Sequence, residues 1–244
     1  MRPTFREDLD DFSHDLIIMF DMVREIMAEA SDALIRGSLD SAEDALSHTE
    51  DLRELRSRCD QRAMQLLALQ GPIARDLRQV VSSIYIVDDF DRMGALAMHI
   101  ARSARRRHPD QVVPEEIKGQ FEEFIRLTRD MTEQTRNLLI SPDTELALTL
   151  AEEDDAVDEL HNALMVQLTQ PEWSHSAREA VDAALLSRFY ERYADHCVNV
   201  ASRLVYLNSG LRPEEYRAAQ EPGELDIEAH YQAMERKFHR GTLD

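Results

Sequence analysis

Residues 188–210, RFYERYADHCVNVASRLVYLNSG, decide the fold and raise the question of function. Their apolar and small side chains recur at steps of three and four residues, which is the spacing of one face of an α-helix. Ser209 and Gly210 end the pattern, because glycine favours the backbone conformation that closes a helix. Glu191 and Asp195 lie one turn apart on this otherwise apolar face. The question is what role two carboxylates have on a face that packs against another helix.

The composition predicts a helical, acidic protein. Only 7 Gly and 8 Pro occur in 244 residues, and 43% of the residues are hydrophobic, which favours helices and a sizeable core. The net charge of −20 argues against nucleic acid or an anionic membrane surface as a partner. It is compatible with cations or with a basic patch on another protein. Cys59 and Cys197 lie in apolar helical patterns and are interpreted as small buried hydrophobic residues.

Targeting signals are not visible in the sequence. No apolar run of about 18 uncharged residues occurs, so no membrane insertion is predicted. The first residues, MRPTFREDLDDF, contain no apolar segment of the kind found in signal peptides. These features together favour a cytoplasmic protein.

Sparse Gly and Pro residues divide the chain into six predicted helices. The third and sixth helices align when one is shifted by 100 residues, which indicates an internal repeat. Residues 211–244 form a polar, acidic tail, within which the pattern allows a short amphipathic helix at 225–238. The first predicted helix ends at residue 36. The other five span residues 41–70, 73–107, 115–140, 144–170 and 176–208.

The repeat and the short turns predict an all-α fold of two antiparallel three-helix bundles related by pseudo-two-fold symmetry. The first bundle covers residues 1–108, the second covers 109–210, and the tail covers 211–244. Long helices joined by short turns pack as antiparallel neighbours, so the fifth and sixth helices should lie side by side. The residues paired by the shift are Arg78 with Arg178, Val81 with Val181, Phe90 with Tyr190, Asp91 with Glu191, Arg92 with Arg192 and Ala101 with Ala201.

Four acids of the fifth and sixth helices are the candidate site. Asp154 and Asp158 repeat the spacing of Glu191 and Asp195, so two neighbouring helices can gather four carboxylates. Like charges that lie close together need a counter-charge, and a hard metal cation is one solution. The alternative is an ion-pair network on a solvated face. Its cations would be Arg178, Arg188 and Arg192.

Two motifs resemble the PhoU family of phosphate-signalling proteins. ERYADHCVNVA resembles the family signature ERIGDHxxNIA, and PIARDLRQVVSSIYIVDDFDRMGALAMHIA resembles the matching block of the first half. The resemblance implies the PhoU-like fold and a homodimer. It implies a negative regulator of the phosphate response that links the phosphate ABC transporter ATPase to a sensor histidine kinase. It also implies a metal, such as iron, manganese, zinc or magnesium, on Asp154, Asp158, Glu191 and Asp195.

The first half departs from the signature. Asp91 matches the first acid, but Ala95 replaces the second, and His99 stands where Asn199 stands in the second half. A shift of 105 residues places Thr49 and Arg53 at the remaining ligand positions. We therefore expect the first-bundle metal site to be lost, with Arg53 supplying a positive charge in place of a ligand.

Two other functions remain open. A carboxylate-bridged metalloprotein with a redox or storage role would need Glu-x-x-His motifs that converge from several helices. His161 and His196 lie near the acids, but no matched pair of such motifs occurs. A metal-free scaffold would use the acids to contact a basic partner. No nucleophile, phosphate loop or nucleotide motif is visible, so we expect no enzymatic activity.

Overall fold

Eight helices build the part of the chain that the structure, a computed structural model, describes, which is residues 3–220. No strand occurs among these residues, so the all-α prediction is confirmed. The helices of the first half are α1 (Pro3–Arg36), α2 (Leu39–Ser47), α3 (Thr49–Gln70) and α4 (Ala74–Arg107). Those that follow are α5 (Glu115–Ile140), α6 (Thr144–Thr169), α7 (Ala177–Ser209) and α8 (Pro213–Gln220).

Local sequence signals set the ends of α6 and α7. Asp143 accepts hydrogen bonds from the backbone of the first turn of α6, as an N-cap does. Ser176 and Glu179 form a reciprocal capping box at the start of α7. Gly210 closes α7 with φ of 77°, a left-handed conformation that glycine adopts without steric strain. Capping side chains therefore define the first residue of each of the two helices that carry the four acids.

Two helices differ from the sequence prediction. The predicted helix 41–70 is divided at His48, whose backbone N–H bonds to the carbonyl of Leu46 and ends α2. No Gly or Pro marks this break, so the periodic pattern runs through it. Helix α8 lies in the segment predicted as tail, where Pro213 suits a first helical position. The amphipathic helix predicted at 225–238 lies outside the described residues.

The two halves share one hydrophobic core. Helices α1 and α4 face α5 and α7, and buried side chains from both halves form one continuous cluster. The hydroxyls of Ser31 on α1 and Tyr190 on α7 lie 3.0 Å apart inside it. At the end of α4, Arg107 pairs with Asp182 of α7 at 2.5 Å. Because side chains of one half complete the packing of the other, α7 is held rigidly against α4.

Two further predictions concern the core and the membrane. Cys59 and Cys197 are free and fully buried, as predicted, and burial raises the pKa of both thiols to about 12. Within residues 3–220, no helix combines the length and the hydropathy that a membrane crossing requires.

Candidate metal centre

The four predicted acids lie near one another where α6 packs against α7, close enough for their charges to interact. Glu191 is 7% exposed, Asp154 and Asp195 are half-buried, and Asp158 is exposed. The surrounding face of α7 is close-packed, as its small residues predict, because a larger side chain there would hold α6 away. The buried small residues of this face are Ser187, Ala194 and Ala201. The acids therefore lie at a packed edge and not on a fully solvated one.

Burial and mutual repulsion make Asp154, Glu191 and Asp195 hard to ionise. The pKa of Asp154 is raised to about 7. Burial is the largest cause, and the negative charges of Asp195, Asp158 and Glu191 add to it. Burial followed by the charge of Asp195 also raises the pKa of Glu191. For Asp195 the causes of its raised pKa are burial and then the charge of Asp158. The charges of the four acids therefore influence one another, and we treat the four as one electrostatic unit.

Two carboxylate oxygens of the unit are buried without a partner. Oδ1 of Asp154 and Oε2 of Glu191 have no hydrogen bond. The other oxygen of Glu191 accepts a hydrogen bond from Arg188, whose side chain is half-exposed. A buried acceptor without a donor is unfavourable by about 1–3 kcal/mol. The unit is thus under-compensated in both charge and hydrogen bonding.

The ion-pair alternative accounts for only part of this charge. Arg188 pairs with Glu191. Among the residues that the structure describes, neither Arg178 nor Arg192 is within ion-pair distance of the four acids, although the charge of Arg192 lowers the pKa of Asp195 from farther away. One nearby guanidinium cannot neutralise four carboxylates, so either protonation of Asp154, whose pKa is raised to about 7, or another cation must relieve the remaining charge.

These residues fit a hard divalent cation in donor type and in charge. Carboxylate oxygens are the ligands that such ions prefer, and the two unpartnered oxygens could bind one. Asp154, Asp158, Glu191 and Asp195 would hold it, with Glu191 exchanging its contact to Arg188 for the metal. A cation there would supply the positive charge that the cluster lacks.

The histidines near the acids have other contacts. Nδ1 of His161 lies 2.9 Å from the hydroxyl of Ser187, and Nδ1 of His196 lies 2.8 Å from Oδ1 of Asp89 on α4. His196 therefore joins the two halves of the molecule and does not point its Nδ1 at the acidic unit. The pattern of paired Glu-x-x-His ligands expected of a carboxylate-bridged oxidase is not found at these acids.

The equivalent place in the first bundle is neutralised by an arginine. Asp91 pairs with Arg56 of α3, which also lies 3.6 Å from Asp88. The sequence comparison assigned this positive charge to Arg53, but Arg53 is exposed and pairs with Glu50 within α3. A helix turn separates the two arginines, and only packing shows which one reaches α4.

The side chains at the other carried-over positions of the first bundle are not acidic. The hydroxyl of Thr49 donates to the carbonyl of Leu46 and lies 3.4 Å from Sδ of Met98. Ala95 is exposed on α4. The carried-over ligand positions of the first bundle therefore hold one acid, Asp91, which pairs with Arg56.

Sequence reasoning missed another group of charged residues in the first half. Within residues 3–220, three donor atoms that all lie within 4.8 Å of one another occur at Glu25, Glu29 and His48, and the second-bundle acids do not approach so closely. Nε2 of His48 lies 3.3 Å from Oε2 of Glu29, so a protonated histidine can balance this acid. The spacing of the two glutamates was visible in the sequence, whereas the helix break that brings His48 to them was not.

Comparisons with known proteins agree with this architecture. The PhoU domain family matches residues 16–104 and 121–204, one match in each half. The "Phosphate-specific transport system accessory protein PhoU homolog 2" of Mycobacterium bovis is 44% identical over 213 residues, which cover 87% of this chain and all of that protein. The PhoU homolog 1 of Mycobacterium leprae is 42% identical over 215 residues, 88% of this chain and 97% of that protein.

Solved structures show the same fold. The crystal structure of PhoU from Pseudomonas aeruginosa superposes with a TM-score of 0.78 at 23% identity, over 85% of this chain and all of that one. PhoU from Streptococcus pneumoniae gives a TM-score of 0.77 at 24% identity, over 85% of this chain and 98% of that one.

Proposed function

This chain belongs to the PhoU family, and we propose that it regulates phosphate uptake and represses the phosphate-starvation response when phosphate is plentiful. The observation that carries the proposal is the similarity of nearly the whole folded part to proteins named as accessory to phosphate-specific transport. Likeness of this extent includes both repeats and the helices that join them, so it concerns the whole assembly and not one motif.

The proposed action is that of an adaptor. In this proposal the protein contacts the ATPase of the phosphate ABC transporter and a sensor histidine kinase, and it catalyses no reaction itself. It acts as a homodimer in the cytoplasm, where ATP-consuming partners work. The strong negative charge of the chain supports contacts with basic surfaces on these partners.

A metal cation on the second bundle completes the proposal. Asp154, Asp158, Glu191 and Asp195 share a field that burial and repulsion make unfavourable, and a divalent cation relieves it. The cation would tie α6 to α7 and so stabilise the face of the second half. Iron, manganese, zinc and magnesium are all compatible with oxygen donors, and metal analysis of untagged protein identifies which is bound.

Deletion of the gene tests the regulatory function. In phosphate-rich medium the deletion strain should express alkaline-phosphatase-type starvation enzymes at a level that the parent strain reaches only in phosphate-poor medium. Reintroducing the gene should restore repression. If the deletion strain has no paralogue of this gene and still represses these enzymes in phosphate-rich medium, the proposed function is wrong.

Complementation of the deletion strain with variants tests whether metal binding is required for regulation. Complementation with a gene that encodes Asp158→Asn and Asp195→Asn should fail to restore repression if the metal is needed for the adaptor. The matched variant Asp91→Asn, at the equivalent repeat position, should restore it fully. Both proteins must accumulate to the level of the unaltered chain, as judged by immunoblotting.

A further inference from the structure

An apolar stripe is exposed along the first half of α4. Leu77, Val81 and Tyr85 follow one another at steps of four residues on α4, and Ile73 lies just before the helix, where its backbone is extended. Ile73, Leu77, Val81 and Tyr85 are 77%, 40%, 38% and 50% exposed. On the adjoining end of α3, Met64 and Leu69 are 65% and 74% exposed. Single exposed apolar residues are ordinary, but an aligned series of this length indicates a surface that another element covers.

The described part of the chain ends near this stripe. Val81 and Tyr85 line a cleft of about 650 Å³ together with Tyr206 of α7 and with Arg212 and Pro213, where α8 begins. Helix α8 has only eight residues, so its end at Gln220 lies about 12 Å farther along the chain. Residues 221–244 therefore start within reach of the stripe.

The sequence that follows carries a matching apolar pattern. Ile227, Tyr231, Met234 and Phe238 are spaced by four, three and four residues, which is one face of a helix. In helical form, the apolar residues from Ile227 to Phe238 would span about 17 Å. The helical part of the stripe, from Leu77 to Tyr85, spans about 12 Å, and Ile73 extends it beyond the start of α4. The two apolar surfaces are therefore of similar length.

The charges beside the two surfaces are complementary. The guanidinium of Arg203 lies over the ring of Tyr85 at 4.2 Å, and Arg212 is exposed at the same cleft. Neither guanidinium makes an ion pair with another residue of the described range 3–220. The first part of the tail is acidic, with Glu221, Glu224, Asp226 and Glu228. Glu214 also lines the cleft, so the two arginines leave a local excess of positive charge there. In a chain of net charge −20, that excess favours an acidic segment as the occupant.

We propose that residues 225–238 of the same chain dock on the stripe formed by Ile73, Leu77, Val81 and Tyr85. The linker 221–224 holds the segment at an effective concentration in the millimolar range, so a weak contact suffices to keep it bound. The segment covers apolar surface that other proteins could otherwise bind. The tail therefore competes with any partner for this face of the first bundle.

Photochemical cross-linking in the full chain tests the contact. Benzoylphenylalanine in place of Val81 should cross-link to residues 225–238, as located by mass spectrometry. The matched control is Val181, the repeat equivalent, which is 58% exposed and should give no cross-link to this segment. A mixture of isotopically light and heavy chains distinguishes a contact within one chain from one between two chains.

Hydrogen exchange gives an independent measurement. In the unaltered chain, amides of residues 225–238 should exchange more slowly than in the Val81→Asp variant, by about tenfold, because docking protects them. Val181→Asp should leave the protection unchanged. Both substitutions are at exposed positions, and circular dichroism verifies that each variant is folded.

Three results would overturn the proposal. Cross-links from Val81 that reach only another copy would make the stripe an interface between chains. Cross-links to no part of the tail would leave the segment undocked. Equal loss of protection in Val81→Asp and Val181→Asp would show that the effect is not specific to the stripe.

Discussion

Asp91 and Glu191 lie at equivalent positions of the two repeats, and each meets an arginine, yet their surroundings differ. Asp91 pairs with Arg56, which also lies 3.6 Å from Asp88 and 3.9 Å from Asp60, and Asp88 pairs in addition with Arg92. Glu191 pairs with Arg188 but shares its field with Asp154, Asp158 and Asp195. The comparison teaches that charge balance, and not the presence of an acid at the signature position, separates a structural ion pair from a candidate metal centre.

A second difference concerns how each repeat contacts the other. His99 of the first repeat stacks on Phe189 with ring centroids 5.3 Å apart, and burial lowers the pKa of its imidazole. Its counterpart Asn199 lies at the cleft beside α8. Both signatures therefore contribute to the interface between the halves, through His99 in the first and His196 in the second, but only the second retains both of its acids.

The largest expected effect separates the two repeats by their metal content. Asp158→Asn with Asp195→Asn should abolish metal binding, while Asp91→Asn should bind as much metal as the unaltered chain. At a free metal concentration of a hundred times Kd, binding adds about 2.7 kcal/mol to the free energy of unfolding. Chelation should therefore lower the melting temperature of the unaltered chain and of Asp91→Asn, but not that of the double variant.

Elemental analysis and thermal unfolding check this prediction together. Equal sensitivity of all three proteins to chelator would place the metal elsewhere. Absence of metal and of any chelator effect in the unaltered chain would favour the ion-pair interpretation of the acids.

The pH dependence of the free energy of unfolding should report the repulsion among the acids of the second repeat. The folded-state pKa of Asp154 is about 7 against an ordinary value of 3.8, so between these values the folded state binds more protons than the unfolded state. The contribution of this group to the free energy of unfolding of the metal-free protein must then fall as pH rises from about 4 to 7. Denaturant titrations across this range should show a shallower fall for Asp154→Asn. An unchanged slope in Asp154→Asn would contradict the predicted role.

Removing the charge of the arginine beside the acids should change metal affinity in the second repeat only. Arg188→Met removes the cation that competes for Glu191, so metal affinity should rise by up to about fivefold, since an exposed ion pair contributes at most about 1 kcal/mol. Arg56→Met, in the first repeat, should leave the affinity of the second site unchanged. Calorimetric titration of the metal into both variants measures the difference. A weaker affinity in Arg188→Met would mean that the arginine supports the site.

The smallest effect is expected from restoring one acid to the first repeat. Ala95→Asp should add no metal, because Arg56 still neutralises Asp91. The triple change Ala95→Asp, Thr49→Asp and Arg53→Asp should also fail while Arg56 remains. Adding Arg56→Ala to that triple change should create the second site. Metal content per chain is the measurement, and uptake by the single variant would refute the role given to Arg56.

Helix periodicity, caps and repeat spacing could all be derived from the sequence because they depend on neighbours within a few residues. The starts of α6 and α7 follow from Asp143 and Ser176, whose side chains bond to the next turn. The break at His48 was not predicted, since the periodic pattern of 41–70 continues through it. On the two sides of the break, α2 and α3 each pack against α1 and α4, which is a tertiary arrangement that spacing along the chain does not show.

The sequence by itself determined the all-α fold and the PhoU family, and it predicted a doubled bundle and a candidate site of four acids on α6 and α7. These follow from spacing, because residues four apart on one helix must share a face. Only the tertiary structure decided which cation meets which acid. Arg53 and Arg56 lie within one helical turn of each other, and an arginine side chain can reach acids on its own helix or on a neighbour. Packing of α3 against α4 turns Arg56 toward Asp91 and leaves Arg53 with Glu50, so partner choice depends on side-chain direction that spacing does not fix.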